Sequence, residues 1–235
     1  DPLREAMERF VGTVESLSAD VISDMQDEAL RAIEAGNEPN MDDLIAQAAS
    51  QYREPMEEVA RFGISNLVES GDGLPAGLTV PDDAFNIASE RALEFLDRFT
   101  FDLAGDLAET TVDQAQRAVR AGVEQGLSVR EVSDLMADLP ETRARAIART
   151  ETNRAMNAGR AEGAKATGAV RHKIVTAPGV RPSHKAIAAQ GEKPIDEPFV
   201  KAGDTFGGET FPRDIHIPPF GVNCRCADVP IWDEL

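Results

Sequence analysis

Residues 141–175 read ETRARAIARTETNRAMNAGRAEGAKATGAVRHKIV. From Pro140 to about Thr167 this is one Ala-rich run, with Arg143, Arg145, Arg149, Arg154 and Arg160 set among glutamates, and it predicts a single long helix. Gly168 is placed as its C-terminal stop. Residues 170–175 then alternate enough for one strand. That switch from helix to strand decides the fold class. Downstream, Pro and Gly punctuate the chain at Arg181-Pro182-Ser183-His184, at Pro194-Ile195-Asp196-Glu197-Pro198-Phe199 and at Pro218-Pro219-Phe220-Gly221-Val222-Asn223-Cys224-Arg225-Cys226. Short strands are expected near Phe199-Val200, Phe211 and 215–217.

Upstream of this stretch the pattern is helical. Leu3, Met7, Phe10, Val11, Val14, Leu17, Val21, Met25, Leu30 and Ile33 recur mostly at steps of three and four, giving an amphipathic helix or two. A second helical stretch begins at Met41 and is expected to break or kink at Pro55, which has no amide donor. Residues 71–77 read as a loop, and Asp82 or Asp83 as the cap of a further helix. Helical pattern then continues to Gly122 or Gly126. Ser128-Val129-Arg130-Glu131 is a capping box for a short helix over 129–137. The expected fold is a mainly α N-terminal region followed by a small α+β, loop-rich C-terminal module. The division is placed at 1–121, an acidic helical region for partner docking, and 122–235, the module.

The charge is unevenly spread. Residues 1–140 hold 30 acids against 10 arginines, a net −20, whereas 141–235 hold 12 acids and 14 bases, a net +2. Phosphate binding depends on neutralisation by Lys and Arg, so the first part repels nucleic acid and suits a solvated surface or a basic protein partner. Only the C-terminal part could touch DNA, and weakly. Aromatic residues are 5% of a chain that is 42% hydrophobic, so the core must be aliphatic. No run approaches the roughly 18 apolar residues of a membrane span, and no partner membrane is expected. The chain opens on Asp1, which reads as a removed leader or a portion of a longer product.

Candidate chemistry is concentrated in 141–226, which contains His172, His184, His216 and both cysteines. His184, His216, Cys224 and Cys226 are, in kind, a tetrahedral zinc set. Their spacing supports it poorly: Cys-x-Cys is tighter than the usual gap, and the two histidines are far apart. The competing reading is a polar core histidine with two small buried thiols, so the cofactor expectation is one structural zinc or none. A disulfide between positions two apart would be strained. A nucleophilic reading would join Cys224 or Cys226 to a histidine and Asp196, but only the residue types are present. Asp196 and Glu197, bracketed by Pro194 and Pro198, read as a rigid turn. Gly207-Gly208 is too weak for a phosphate loop. Arg149, Thr150, Glu151 and Asn153 stand in the Ala-rich run, where polar groups are expected to be partly buried and hydrogen-bonded. Arg143 and Arg160 are expected on a solvated face, paired with the helix's own glutamates.

The order of these blocks resembles the phage Mu F-like head-morphogenesis (minor head protein) family. The resemblance runs over Gly126-Leu127-Ser128, then Ile147-Ala148-Arg149-Thr150-Glu151-Thr152-Asn153-Arg154-Ala155-Met156-Asn157-Ala158-Gly159-Arg160, then Arg181 and His184, Asp196, and Asn223-Cys224-Arg225-Cys226. It implies a tailed-virus minor head protein, portal-associated, acting in capsid assembly or in genome packaging and ejection. Portal protein and other head subunits would be its partners, the virion near the portal vertex its site, and the host cytoplasm its place during assembly. Family members often carry an aromatic residue and an Asp ahead of the Arg-x-x-His block. Here 174–180 has neither, so the pairing of Arg181 or His184 must differ. The link over 201–211 is also longer than usual. The resemblance implies no catalytic residue. The alternative expectation is a zinc-dependent hydrolase or nuclease, or a toxin-like module, in the C-terminal half.

Overall fold

Apolar spacing at the start of the chain yields one helix, α1 (Pro2–Glu34). Its buried side is Phe10, Val14, Ser18, Val21, Ile22, Met25, Ala29 and Leu30, the three-and-four step of an amphipathic helix. In this computed structural model the described residues are 2–35, 37–68, 74, 78, 81, 83–125 and 139–233. The expected capping box and short helix over 128–137 lie outside them. So do Asp82, Gly126 and all of the 71–77 loop except Leu74.

Helix α2 (Met41–Val68) runs through Pro55 without a break. A proline inside a helix costs about 3 kcal/mol. Tyr52 and Met56 flank it and are buried to 0% and 1% exposure, with Val59 and Ile64 both at 0%. Each such side chain returns about 1.5–3 kcal/mol on burial, so apolar packing outweighs the lost donor. Helix α3 (Ala84–Gln125) follows, and α4 (Leu139–Ala166) is the Ala-rich run. None of these helices is long and apolar enough to cross a membrane.

The chain divides into two compact units, Asp1–Pro55 with Asp97–Ala148, and Met56–Leu96 with Arg149–Leu235. In the first unit Arg143 donates to Thr111 Oγ1 at 3.2 Å and Gln114 Oε1 at 2.9 Å, and Arg145 pairs with Glu15 at 3.0 Å. In the second, Arg160 donates to Asn66 Oδ1 at 3.0 Å. Arg143 and Arg160 therefore tie α4 to other helices rather than to its own glutamates, the difference from a simple solvated face.

The second unit carries the α+β part. α4 ends at Gly168, whose φ of 83° no larger residue adopts easily. Ala169 N–H reaches Ala164 O at 2.9 Å and Gly168 N–H reaches Lys165 O at 3.1 Å, the paired bonds of a Schellman cap. The chain enters β1 (Arg171–Val175), with His172 and Ile174 turned inward. There follow α5 (Pro182–Ala188), β2 (Lys193–Pro194), β3 (Thr205–Phe206), β4 (Glu209–Thr210) and β5 (Ala227–Ile231). The sheet order is β2-β1-β5, antiparallel, with β3 and β4 a separate hairpin. The hairpin turn is Gly207-Gly208, both at positive φ, so this dipeptide makes a turn against α5 and not a phosphate cradle. The strand expected near Phe199-Val200 survives as a single bridge, Val200 to Ile215. Strand β5 has no counterpart among the expected elements. It holds Pro230, which an edge strand tolerates because its missing donor has no neighbour to serve.

One apolar cluster joins Ile174, Ile187, Phe199, Val200, Phe211, Phe220, Cys224 and Cys226. A smaller one joins Leu67, Ala164, Ala169 and Trp232. Trp232 Nε1 donates to Thr167 O at 3.1 Å, which fixes the end of β5 to the end of α4.

Candidate functional site

The segment Asn223-Cys224-Arg225-Cys226-Ala227-Asp228 alternates outward and inward, with Cys224, Cys226 and Asp228 buried. An extended chain places residues two apart on the same face. A one-residue gap therefore brings both thiols together, which is why Cys-x-Cys works here despite looking tight as a ligand spacing. Asn223 starts the segment at φ 59°, a left-handed turn that Asn tolerates.

Helix α4 holds this segment from one face. Asn223 N–H donates to Thr150 Oγ1 at 2.9 Å. Asn153 Nδ2 donates to the carbonyls of Cys224 at 3.2 Å and Cys226 at 3.1 Å. Asn157 Nδ2 reaches Cys226 O at 3.4 Å, while its Oδ1 accepts from Asp228 N–H at 2.9 Å. That last pair makes the Asn157 amide stand in for a neighbouring strand along the edge of β5. Thr150, Asn153 and Asn157 lie three and four apart, one stripe of a helix. Asn157 was not among the expected site residues, although its spacing from Asn153 is the signal that finds it. Replacing it with Leu leaves a buried amide at Asp228 without a partner. The expected loss is about 2 kcal/mol in urea unfolding, and Asn157→Asp should lose at least as much, because a buried carboxylate oxygen would face the Asn153 and Cys226 carbonyls that Nδ2 serves.

Arg181 and His184 approach from α5. Arg181 precedes the helix and donates from Nη2 to Val222 O at 3.1 Å. His184 is 2% exposed; its Nδ1 lies 3.7 Å from Cys224 Sγ and 3.5 Å from Cys226 Sγ. The Phe220 ring meets His184 edge-on at 5.7 Å. One ligand atom from each of His184, Cys224 and Cys226 lies within 4.8 Å of the others, a group able to hold a metal ion. The two thiols act as a coupled pair. The hydrogen bond from the Cys226 thiol holds Cys224 below the ordinary thiol value against the opposing effect of burial. The same bond, with burial, pushes Cys226 up.

Not every expected residue converges here. His216 is exposed and is not in that group; burial first, then Lys165, lower its pKa. Asp196 is 86% exposed in its side chain and 4.0 Å from Lys165 Nζ. It sits in the turn closed by Glu197 N–H to Pro194 O at 2.9 Å. Glu151 is buried and paired with Arg154 at 3.0 Å, and Arg149 is exposed. A second buried constellation escaped the sequence reading. His172 Nδ1 and Asp228 Oδ1 are 2.9 Å apart, with side chains 1% and 0% exposed.

The family described as phage Mu protein F like protein matches residues 113–229. The C-terminal half of this chain belongs to that family. The Mu F-like family is one of phage head-morphogenesis proteins, which interact with other parts of the head. No curated protein and no solved structure matches the chain. Within the matched range the parts that meet are the α4 stripe, Arg181 and His184, and the Asn-Cys-Arg-Cys segment.

Proposed function

We propose that this chain is a minor head protein of a tailed virus, sited near the portal vertex and acting in capsid assembly and in genome packaging or ejection. The family match over 113–229 carries the reading. The placement of the motif residues supports it: Thr150, Asn153 and Arg181 spend their hydrogen bonds inside the module, on the segment 222–226. Residues that fasten a module to itself make a rigid body for docking. On this reading residues 149–235 serve as that body, and the acidic residues 1–121 provide the surface for portal and other head subunits. A net charge of −20 over 1–140 favours a basic protein patch over DNA, leaving any contact with packaged DNA to the C-terminal half.

On this reading the chain is not an enzyme, and one structural zinc is the most the module carries. A hydrolytic zinc keeps an open position facing its substrate, whereas His184, Cys224 and Cys226 are buried to 2%, 2% and 0%. Purified virions should contain the chain in few copies relative to major capsid protein, cross-linked to portal through residues 1–121. Virions that lack the chain yet assemble portal and eject DNA normally would overturn the proposal.

A further inference from the structure

We infer that His184, Cys224 and Cys226 bind one zinc ion through two sulfurs and a nitrogen. Three independent observations converge on it.

The first is distance. Zinc bonds of about 2.3 Å to sulfur and about 2.0–2.1 Å to nitrogen, at tetrahedral angles, set sulfur and nitrogen ligands about 3.5 Å apart. The two sulfur-to-Nδ1 separations are 3.7 and 3.5 Å. The donors come from segments 40 residues apart and still share one centre.

The second is the state of the imidazole. His184 is buried, its Nδ1 faces only the two sulfurs, and its Nε2 has no partner among the described residues. Sulfur is a weak hydrogen-bond partner, so a histidine serving only the apolar core would be poorly satisfied there. An ion gives Nδ1 and both sulfurs a strong bond at once.

The third is the surroundings of the sulfurs. Asn153 fixes the carbonyls of both cysteines, so the ligand loop is held by groups outside the ligand set. Two thiolates and an imidazole suit zinc over calcium or magnesium, which take oxygen. Among the described residues no fourth Cys, His, Asp or Glu joins the group.

The ion would fasten α5 to the segment before β5, and so position Arg181 and the exposed tip at Val222. This scaffolding part rests on the structural reading of the module. The binding itself needs no head partner, so its failure and the failure of the assembly reading are told apart.

The test uses the full chain, reduced, stripped with chelator and titrated with cobalt(II). One equivalent should give a thiolate-to-cobalt charge-transfer band and the visible bands of a tetrahedral site, both displaced by zinc. Cys226→Ser should lose about half of the charge-transfer intensity, which scales with the number of thiolates. His216→Ala should change nothing. Since a cysteine variant can fail to fold, X-ray absorption at the zinc edge of the wild-type chain provides a second readout, with two sulfur neighbours and a histidine nitrogen expected. A chain that retains no zinc or cobalt, or a zinc with no sulfur neighbours, would overturn the inference.

Discussion

Asp228→Ala should lower the unfolding free energy by about 3–5 kcal/mol, the usual cost of removing one partner from a buried pair. The reason lies in the donors. His172 Nε2 is 3.2 Å from the carbonyl of Glu197, which can only accept, so Nε2 carries a proton. Nδ1 faces Asp228 Oδ1 at 2.9 Å. Removing the carboxylate strands Nδ1 in an apolar setting, with the Phe199 ring centred 4.6 Å away. The pair also joins β1 to β5, so its loss is felt along the sheet. Asp228→Asn, which keeps an acceptor, should lose less. A double replacement, His172→Phe with Asp228→Leu, should recover most of the stability, because apolar groups of similar shape carry no desolvation cost. Urea unfolding of the three variants decides the matter. A small effect for Asp228→Ala would mean that water reaches the pair.

Why the sequence disclosed the helices and not this pair follows from range. Phe10, Val14, Val21 and Met25 declare α1 through spacing within one element. The switch after Gly168 is equally local, since it needs only a left-handed position. Strand β5 is different. It is five residues long, contains a proline, and exists because β1 offers it an edge. No window of sequence around 227–231 contains that partner. His172 and Asp228, 56 residues apart, meet only once that pairing forms. Pro55 misleads for the same cause: its local rule is sound, but the burial of Tyr52 and Met56 overrides it.

The candidate site was half legible. The types His, Cys and Cys named the chemistry, but spacing argued against them, because a metal loop was expected to follow the usual gap. The alternating burial at 224–226, which turns both thiols to the same side, removes that objection. His216 entered the set on type alone, and its place is exposed, outside the group. Asn153 was expected to be partly buried and hydrogen-bonded, and it is; the identity of its partners, the carbonyls of Cys224 and Cys226, appears only once the segment is in view. Polar residues in an Ala-rich helix are a usable sign that something backbone-like lies against it, since small neighbours permit the approach and the polar groups require a partner.

Gly159→Ala should cost about 3 kcal/mol or more, the upper end for forcing extra atoms into a packed contact. On an open helix the same change would help, as Ala exceeds Gly in helix propensity by about 1 kcal/mol. Here an added Cβ would fall on the carbonyl of Ala60 in α2, and one at Gly63 would lie 2.8 Å from Met156 O. Both obstacles are backbone, which cannot rotate aside as a side chain can, so the sign of the effect reverses. Separation of α2 from α4 within this unit should then carry Asn153 and Asn157 away from the cysteine segment, because they sit on the same helix. Hydrogen exchange would register this as faster exchange at the Asp228 amide, which donates to Asn157 Oδ1 at 2.9 Å. If Gly159→Ala proves as stable as the native chain, the α2–α4 approach is not what seats α4 against the cysteines, and the stripe Thr150, Asn153 and Asn157 must suffice alone.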